Sequence, residues 1–279
     1  MTQVLPRFLG LGALKAGTSL LHELLAEHPG VAVPAHRKEV MFFDQHWARG
    51  PAWYAEHFAH AGDRLPGEIS PGYLWHPDAP ARAASLVPDA KLLVMVREPV
   101  RRAYSQFTFF VKEHGYNRDF ATFLHEHPNA IERGMYAAQI GRWLEHFPRE
   151  RLHVEVFEDL TADPVGRMRA VYGFLGVDDG YVPRKAGEKV NESRIPRLAP
   201  LYRVGRQAVG WLYRHDGARL VHALKQSGLK RLFFPDKAEK DAFPPLDADS
   251  RARLTAAYAD DSAALARLLG RPTGWARPS

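Results

Sequence analysis

The chain has 279 residues, 46% of them apolar and 25% charged, the balance of a soluble globular protein. It contains no cysteine, which excludes a disulfide scaffold and cysteine-ligated metal sites. Its formal charge is +6, from 38 Lys+Arg against 32 Asp+Glu; this excess suits polyanionic ligands in general, and no repeat, low-complexity stretch or zinc-finger spacing turns it toward nucleic acid.

The first residues, MTQVLPR, lead straight into an apolar run, so no signal peptide is expected. The longest apolar run, Leu92-Leu-Val-Met-Val96, is far too short for a transmembrane segment, and a cytoplasmic location is expected. A buried strand is predicted over 8–11, then a tight loop over 12–17, then a helix opening at Thr18 or Ser19 and running to about 28. Leu20, Leu21, Leu24 and Leu25 line one side of that helix, and Pro29-Gly30 ends it. A short strand follows at 31–33. The charged run His36-Arg37-Lys38-Glu39 then meets the bulky Val40-Met41-Phe42-Phe43-Asp44, a pattern that sets polar side chains at the edge of a core. A helix over 51–61 carries Trp53, Tyr54 and Phe58, and 67–73 reads as a strand end entering a loop at Pro71. After a helix over 78–86, the aliphatic run 91–96 has the character of a strand in a parallel sheet. It stops at Arg97-Glu98-Pro99, before a helix over 100–113. Further helices are predicted near 119–126 and 136–147, a strand over 152–157 and a helix over 164–175. The stretch 176–196 is a charged loop, 197–234 is helical and basic, and 249–269 is an amphipathic helix stopped by Gly270. These elements predict an α/β fold: a P-loop-like central parallel sheet flanked by helices, with a helical C-terminal elaboration. A single domain over 1–279 is expected, with its core over about 7–195 and the helical part over about 197–270.

Gly12 and Gly17 have the spacing of the two glycines in G-x-x-x-x-G-K-[ST], a loop whose backbone comes close to an anion at a helix N-terminus. Where a nucleotide triphosphatase has its lysine, this chain has Thr18, and the one lysine, Lys15, sits inside the loop. The anion bound here therefore needs its cation at a different place from the β/γ-phosphates of ATP. A degenerate phosphate loop in a kinase- or ATPase-like protein, and a catalytically silent nucleotide-binding module, are the alternative readings. Ligands bind at the carboxyl ends of strands in open α/β sheets, so the loop at Arg97 is expected to face the loop at Lys15.

The segment Gly12-Ala-Leu-Lys15-Ala-Gly17-Thr18-Ser19 resembles the 5′-phosphosulfate-binding loop of sulfotransferases. It is most similar to the Golgi heparan sulfate enzymes and their bacterial relatives. The resemblance implies 3′-phosphoadenosine 5′-phosphosulfate (PAPS) as sulfate donor, with no metal. Lys15, Ala16, Gly17, Thr18 and Ser19 would hold the 5′-phosphate, and Lys15 would also stabilise the bridging oxygen as the S–O bond breaks. Val94-Met-Val-Arg97 through Ser105 resembles the family's 3′-phosphate motif, which gives that phosphate to Arg97 and Ser105; Arg101 and Arg102 are expected to add field or simply to be solvated. Lys38-Glu39-Val-Met-Phe42-Phe43 resembles the segment that carries the base, implying that Glu39 takes the proton of the acceptor; His36, off the family position, is the competing base. Glu68-Ile69-Ser70-Pro71-Gly72-Tyr73 is similar to the family's E-K-T-P-x-Y, with Ile69 in place of an active-site lysine. Arg133-Gly-Met-Tyr136 also resembles a family segment, in which Tyr136 is either a substrate contact or a core tyrosine. Arg194, in the basic loop 189–194, would cover the 3′-phosphate. The resemblance runs from about 8 to 194. It implies in-line attack by an acceptor hydroxyl or amine on the donor's sulfur, and leaves the acceptor open among a glycan, a lipid and a small molecule.

Overall fold

The computed structural model describes residues 3–187, 243 and 246–275. Five parallel strands form its central sheet in the order β2-β3-β1-β4-β5: β1 Phe8–Gly12, β2 Val31–Ala32, β3 Leu65–Ile69, β4 Lys91–Val96 and β5 Leu152–Val156. The aliphatic run of β4 is buried on both faces because helices cover both sides of a parallel sheet. In β1, Gly10 leaves room for its neighbour strand: a Cβ there would lie 2.5 Å from Cγ1 of Ile69. Ile69 is thus a core residue wedged between strands.

The helices are α1 Thr18–Glu27, α2 Gly50–Glu56, α3 Ala79–Leu86, α4 Pro99–His114, α5 Phe120–Glu126, α6 Asn129–Glu132, α7 Tyr136–Leu144, α8 Phe157–Ala162, α9 Pro164–Leu175, α10 Ala248–Ala257 and α11 Ala259–Leu269. Apolar side chains around the sheet make one buried cluster. A second, built on Val100, Phe107, Phe120, Phe123, Leu254 and Tyr258, joins α4, α5 and α10.

Two expectations are corrected. The fifth strand stops at Val156, and Phe157 opens the short helix α8; an aromatic residue after a β-rich run reads as strand until its packing is known. The helix expected over 249–269 is two helices broken at Tyr258. The break lets α10 pack on α4 while α11 packs on α7, and the buried Tyr258 hydroxyl donates to the carbonyl of Ile131 (3.1 Å). The basic segment 197–234 lies outside the described residues. Among those described, no helix is long and apolar enough to cross a membrane.

Candidate functional site

β1 lies at the centre of the strand order, where the chain switches from building one side of the sheet to the other, and its carboxyl end feeds the glycine loop. Gly17 occupies the N-cap of α1 with φ 98°, in the left-handed region, and no side chain caps the helix. A Cβ on Gly17 would stand 2.3 Å from the ring of Phe157, so both conformation and contact demand glycine. The first turn of α1, with buried Thr18 and exposed Ser19, therefore offers backbone N–H groups and the positive end of the helix dipole to an anion. Ala16 is fully buried beneath the loop.

Lys15 has φ 69°, and its Nζ sits 4.3 Å from the centroid of the Phe109 ring. Burial first, then the charge of Lys112, pushes its pKa down to about 8 from the usual lysine value; Glu113 pulls it partly back, and Arg97 (downward) and Glu39 (upward) act less strongly. Phe109, Lys112 and Glu113 all come from α4, one turn or two beyond Ser105. Ser105, half-buried, lies four residues before Phe109 and so on the same face of α4. An anion bound beside Lys15 raises its pKa again, so binding takes up a proton wherever free Lys15 is neutral. The affinity for adenosine 3′,5′-bisphosphate is accordingly expected to be about tenfold weaker at pH 9 than at pH 7, and Lys15→Arg to flatten that dependence; calorimetric titration across the range measures both.

Arg97 follows β4. Its guanidinium lies 4.9 Å from the centroid of Phe157, and its Nε is buried with no hydrogen-bond partner among the described residues. Burial lowers the pKa of Arg97, yet a guanidinium stays charged at neutral pH. The loop around it is held from several directions. Tyr136, fully buried, donates its hydroxyl to the Arg97 carbonyl (2.8 Å), so this tyrosine acts on the arginine's backbone. The Glu98 N–H donates to Oε1 of Glu158 (3.1 Å), and the Glu98 carboxylate caps α4 by accepting from Val100 N–H (3.2 Å) and Arg101 N–H (2.7 Å). The C-terminal part closes the same corner: Trp275 Nε1 donates to Oε2 of Glu158 (3.1 Å), Arg271 pairs with Asp159 (2.5 Å), and Asp261 accepts from the first N–H groups of α7. Arg101 is half-exposed and lies 3.9 Å from Glu98. Arg102 corrects the expectation of a solvated side chain. It is fully buried and donates to Oε1 of Gln106 (2.9 Å), to the carbonyl of Leu14 (3.5 Å) and to that of Ala130, bracing the glycine loop from behind. Arg194 lies outside the described residues.

Glu39 is brought to the same place by Lys38, whose ammonium donates to Ser19 Oγ (2.7 Å) and pairs with Oε1 of Glu39 (3.2 Å). The glutamate side chain remains 29% exposed, open to an incoming group. His36 instead lines a neighbouring groove of about 640 Å³ with Arg49, Trp53 and His57. With Ile69 in the core, the position of the family's lysine is apolar. Positive charge near the segment that follows comes from Arg133, which stacks over Trp75 (4.7 Å) and feels the charge of Asp44, and from Arg142, which donates to the Trp75 carbonyl (3.0 Å). The sequence reading missed Phe109, Lys112, Phe157 and Glu158. The spacing of the first two from Ser105 along α4 was the available signal.

An uncapped helix N-terminus, an ammonium crowded by other cations and a guanidinium with an unsatisfied Nε fit a ligand with two separate phosphates. The comparisons with known proteins agree. Residues 6–190 match the family model described as "Sulfotransferase domain". The chain is 34% identical over 184 residues to mouse heparan sulfate glucosamine 3-O-sulfotransferase 3A1, covering 62% of this chain and 46% of that protein. It is 29% identical over 292 residues to mouse bifunctional heparan sulfate N-deacetylase/N-sulfotransferase 4, covering 96% of this chain and 30% of that one. The chain thus spans less than half the length of these curated relatives. A crystal structure of a sulfotransferase from Alicyclobacillus acidocaldarius superposes with a TM-score of 0.71 at 27% identity, covering 98% of this chain and 100% of that one. On the family match across more than half its length, the chain belongs to the sulfotransferase family.

Proposed function

We propose that this chain, as a single domain, moves the sulfuryl group of PAPS onto an acceptor hydroxyl, with Glu39 as base and no metal. When bound, PAPS supplies the sulfuryl group, and the bisphosphate is the leaving group. The observation that carries the reading is the meeting of three anion-binding elements (Lys15, the first turn of α1 and Arg97) with a carboxylate that Lys38 ties to Ser19. In this reading the N–H groups of Gly17, Thr18 and Ser19 bind the 5′-phosphate, and Arg97 with Ser105 binds the 3′-phosphate. Lys15 offers its ammonium to the oxygen on which negative charge grows. Glu39 takes the acceptor proton and Lys38 steadies its carboxylate. Tyr136, Glu98 and Arg102 fix the loops that bind. The relatives named for glucosamine 3-O-sulfation and N-sulfation of heparan sulfate support a sugar acceptor, hydroxyl before amine. The cytoplasmic placement expected from the sequence remains part of this reading, and cell fractionation tests it.

Calorimetric titration with adenosine 3′,5′-bisphosphate, without metal, is expected to show tight binding, and magnesium-ATP weak binding or none. Arg97→Ala is expected to weaken the bisphosphate about a hundredfold, the worth of a lost pair of charge-assisted hydrogen bonds. Preference for magnesium-ATP overturns the reading in favour of phosphoryl transfer.

A further inference from the structure

Behind Glu39 lies a buried carboxylate to which the reaction gives no part. Glu68, at the end of β3, is fully buried, and its two oxygens accept four hydrogen bonds. Oε1 takes the hydroxyls of Tyr54 (2.8 Å) and Tyr73 (2.5 Å). Oε2 takes the hydroxyl of Ser70 (2.5 Å) and the N–H of Val40 (3.3 Å). The same hydroxyls accept in turn: Ser70 Oγ from the N–H of Met41 (2.9 Å), and the Tyr73 oxygen from the N–H of Phe42 (2.7 Å). The three consecutive N–H groups after Glu39 therefore all end on one network rooted in Glu68. Within that segment Met41 has φ 57°, a left-handed conformation that costs energy for a side chain of this kind and persists only where its surroundings impose it.

We propose that Glu68 is a positioning residue for the base: it sets the direction of the hydroxyl relays through Ser70 and Tyr73 and thereby holds the backbone that presents Glu39. The physical ground is the donor and acceptor inventory. An ionised carboxylate only accepts, so both hydroxyls must aim their hydrogens at it and leave lone pairs for Met41 and Phe42. An amide of the same shape has a donating edge, which turns one hydroxyl round and sets donor against donor at the backbone. Burial raises the pKa of Glu68, and its four donors offset only part of that rise. An unmatched donor in so dry a place is costly, and the Glu39 segment yields before the strand does.

The proposal rests on Glu39 being the base, and its test separates the two. Glu68→Gln is expected to lower kcat for transfer from PAPS to heparan sulfate by about tenfold to a hundredfold, the scale of a misplaced catalytic group. The Kd for adenosine 3′,5′-bisphosphate should stay within about twofold, because the hydrogen bonds of the Glu68, Ser70 and Tyr73 side chains end on 40–42 and none of them ends on Lys15, Arg97 or the first N–H groups of α1. Amide hydrogen exchange at Val40, Met41 and Phe42 should accelerate about tenfold or more, with the first turn of α1 unchanged. Tyr73→Phe and Tyr54→Phe each remove one hydroxyl from Glu68, but only Tyr73 also accepts from the Glu39 segment. Tyr73→Phe is therefore expected to cost severalfold more kcat than Tyr54→Phe, and this pair serves if Glu68→Gln fails to fold. Equal losses in the two tyrosine variants, unchanged exchange at 40–42, or a bisphosphate affinity that falls in step with kcat would overturn the proposal. A wild-type protein that transfers no sulfate overturns the base assignment instead, and exchange at 40–42 still decides whether Glu68 holds the segment.

Discussion

Replacing Glu39 by glutamine is expected to lower the rate of sulfate transfer by about two to four orders of magnitude while leaving the Kd for adenosine 3′,5′-bisphosphate nearly unchanged. Glutamine has the shape of glutamate and keeps a carbonyl oxygen for Lys38, so the tie to Ser19 survives. What disappears is the capacity to take a proton. The loss should accordingly fall on kcat, the mark of an interaction made in the transition state alone. Steady-state kinetics with saturating PAPS, beside calorimetry on the same preparation, make the comparison. Full activity in this variant would remove Glu39 as the base and return His36, in the groove with Trp53 and Arg49, to consideration.

Lys15→Ala is expected to cost transfer about a hundredfold to a thousandfold, in line with removal of a preorganised charge from the place where an oxyanion forms. The same change should leave the thermal midpoint unaltered or raise it. The sign follows from linkage. Lys15 has a folded-state pKa of about 8, below its unfolded value, so below that pH the fold must hold an ammonium beside Lys112 and Arg97. Between the folded and unfolded values the unfolded chain binds more protons, and wild-type stability gains as pH rises through that window. Alanine removes the burden at every pH and with it this pH dependence. Activity lost together with stability gained is the signature of a functional cation; a plain packing residue would lose both. Thermal melts at neutral and alkaline pH, beside the kinetic assay, test it.

Much of this could be read from local chemistry. The strand Lys91–Val96 announced itself by an unbroken aliphatic run, the helix Pro164–Leu175 by a proline at its start and a glycine at its end, and the anion loop by two glycines around one lysine. Such signals need only near neighbours. What stayed hidden depends on partners far along the chain. Arg102 looked like one of several surface arginines, because its acceptors at Leu14 and Ala130 are 88 and 28 residues away. Tyr136 could be named from its segment, but its bond to Arg97, 39 residues distant, assigns its work. Glu68 was passed over beside the more conspicuous Ile69, since nothing in its own sequence says that Tyr54, Tyr73 and Val40 surround it. Phe157 was read as strand because it continues a β-rich run, and its place beside Gly17, far back along the chain, is not visible in its own segment.

The carboxylate of Glu158, shared between the N–H of Glu98 and the indole of Trp275, has a consequence for how the molecule comes into being. The glycine loop is built from residues 12–17 alone, but the corner that secures Arg97 is finished by contacts reaching 117 residues on to Trp275 and 124 residues from Ala137 to Asp261. Closing such long loops is entropically slow, and the sheet with its first helices can assemble beforehand. Folding is therefore expected to pass through a stage in which the glycine loop is formed and the corner around Arg97 is still open, and pulse-labelled amide exchange during refolding, with later protection at Glu98 and Ala137 than in α1, is the result that bears it out.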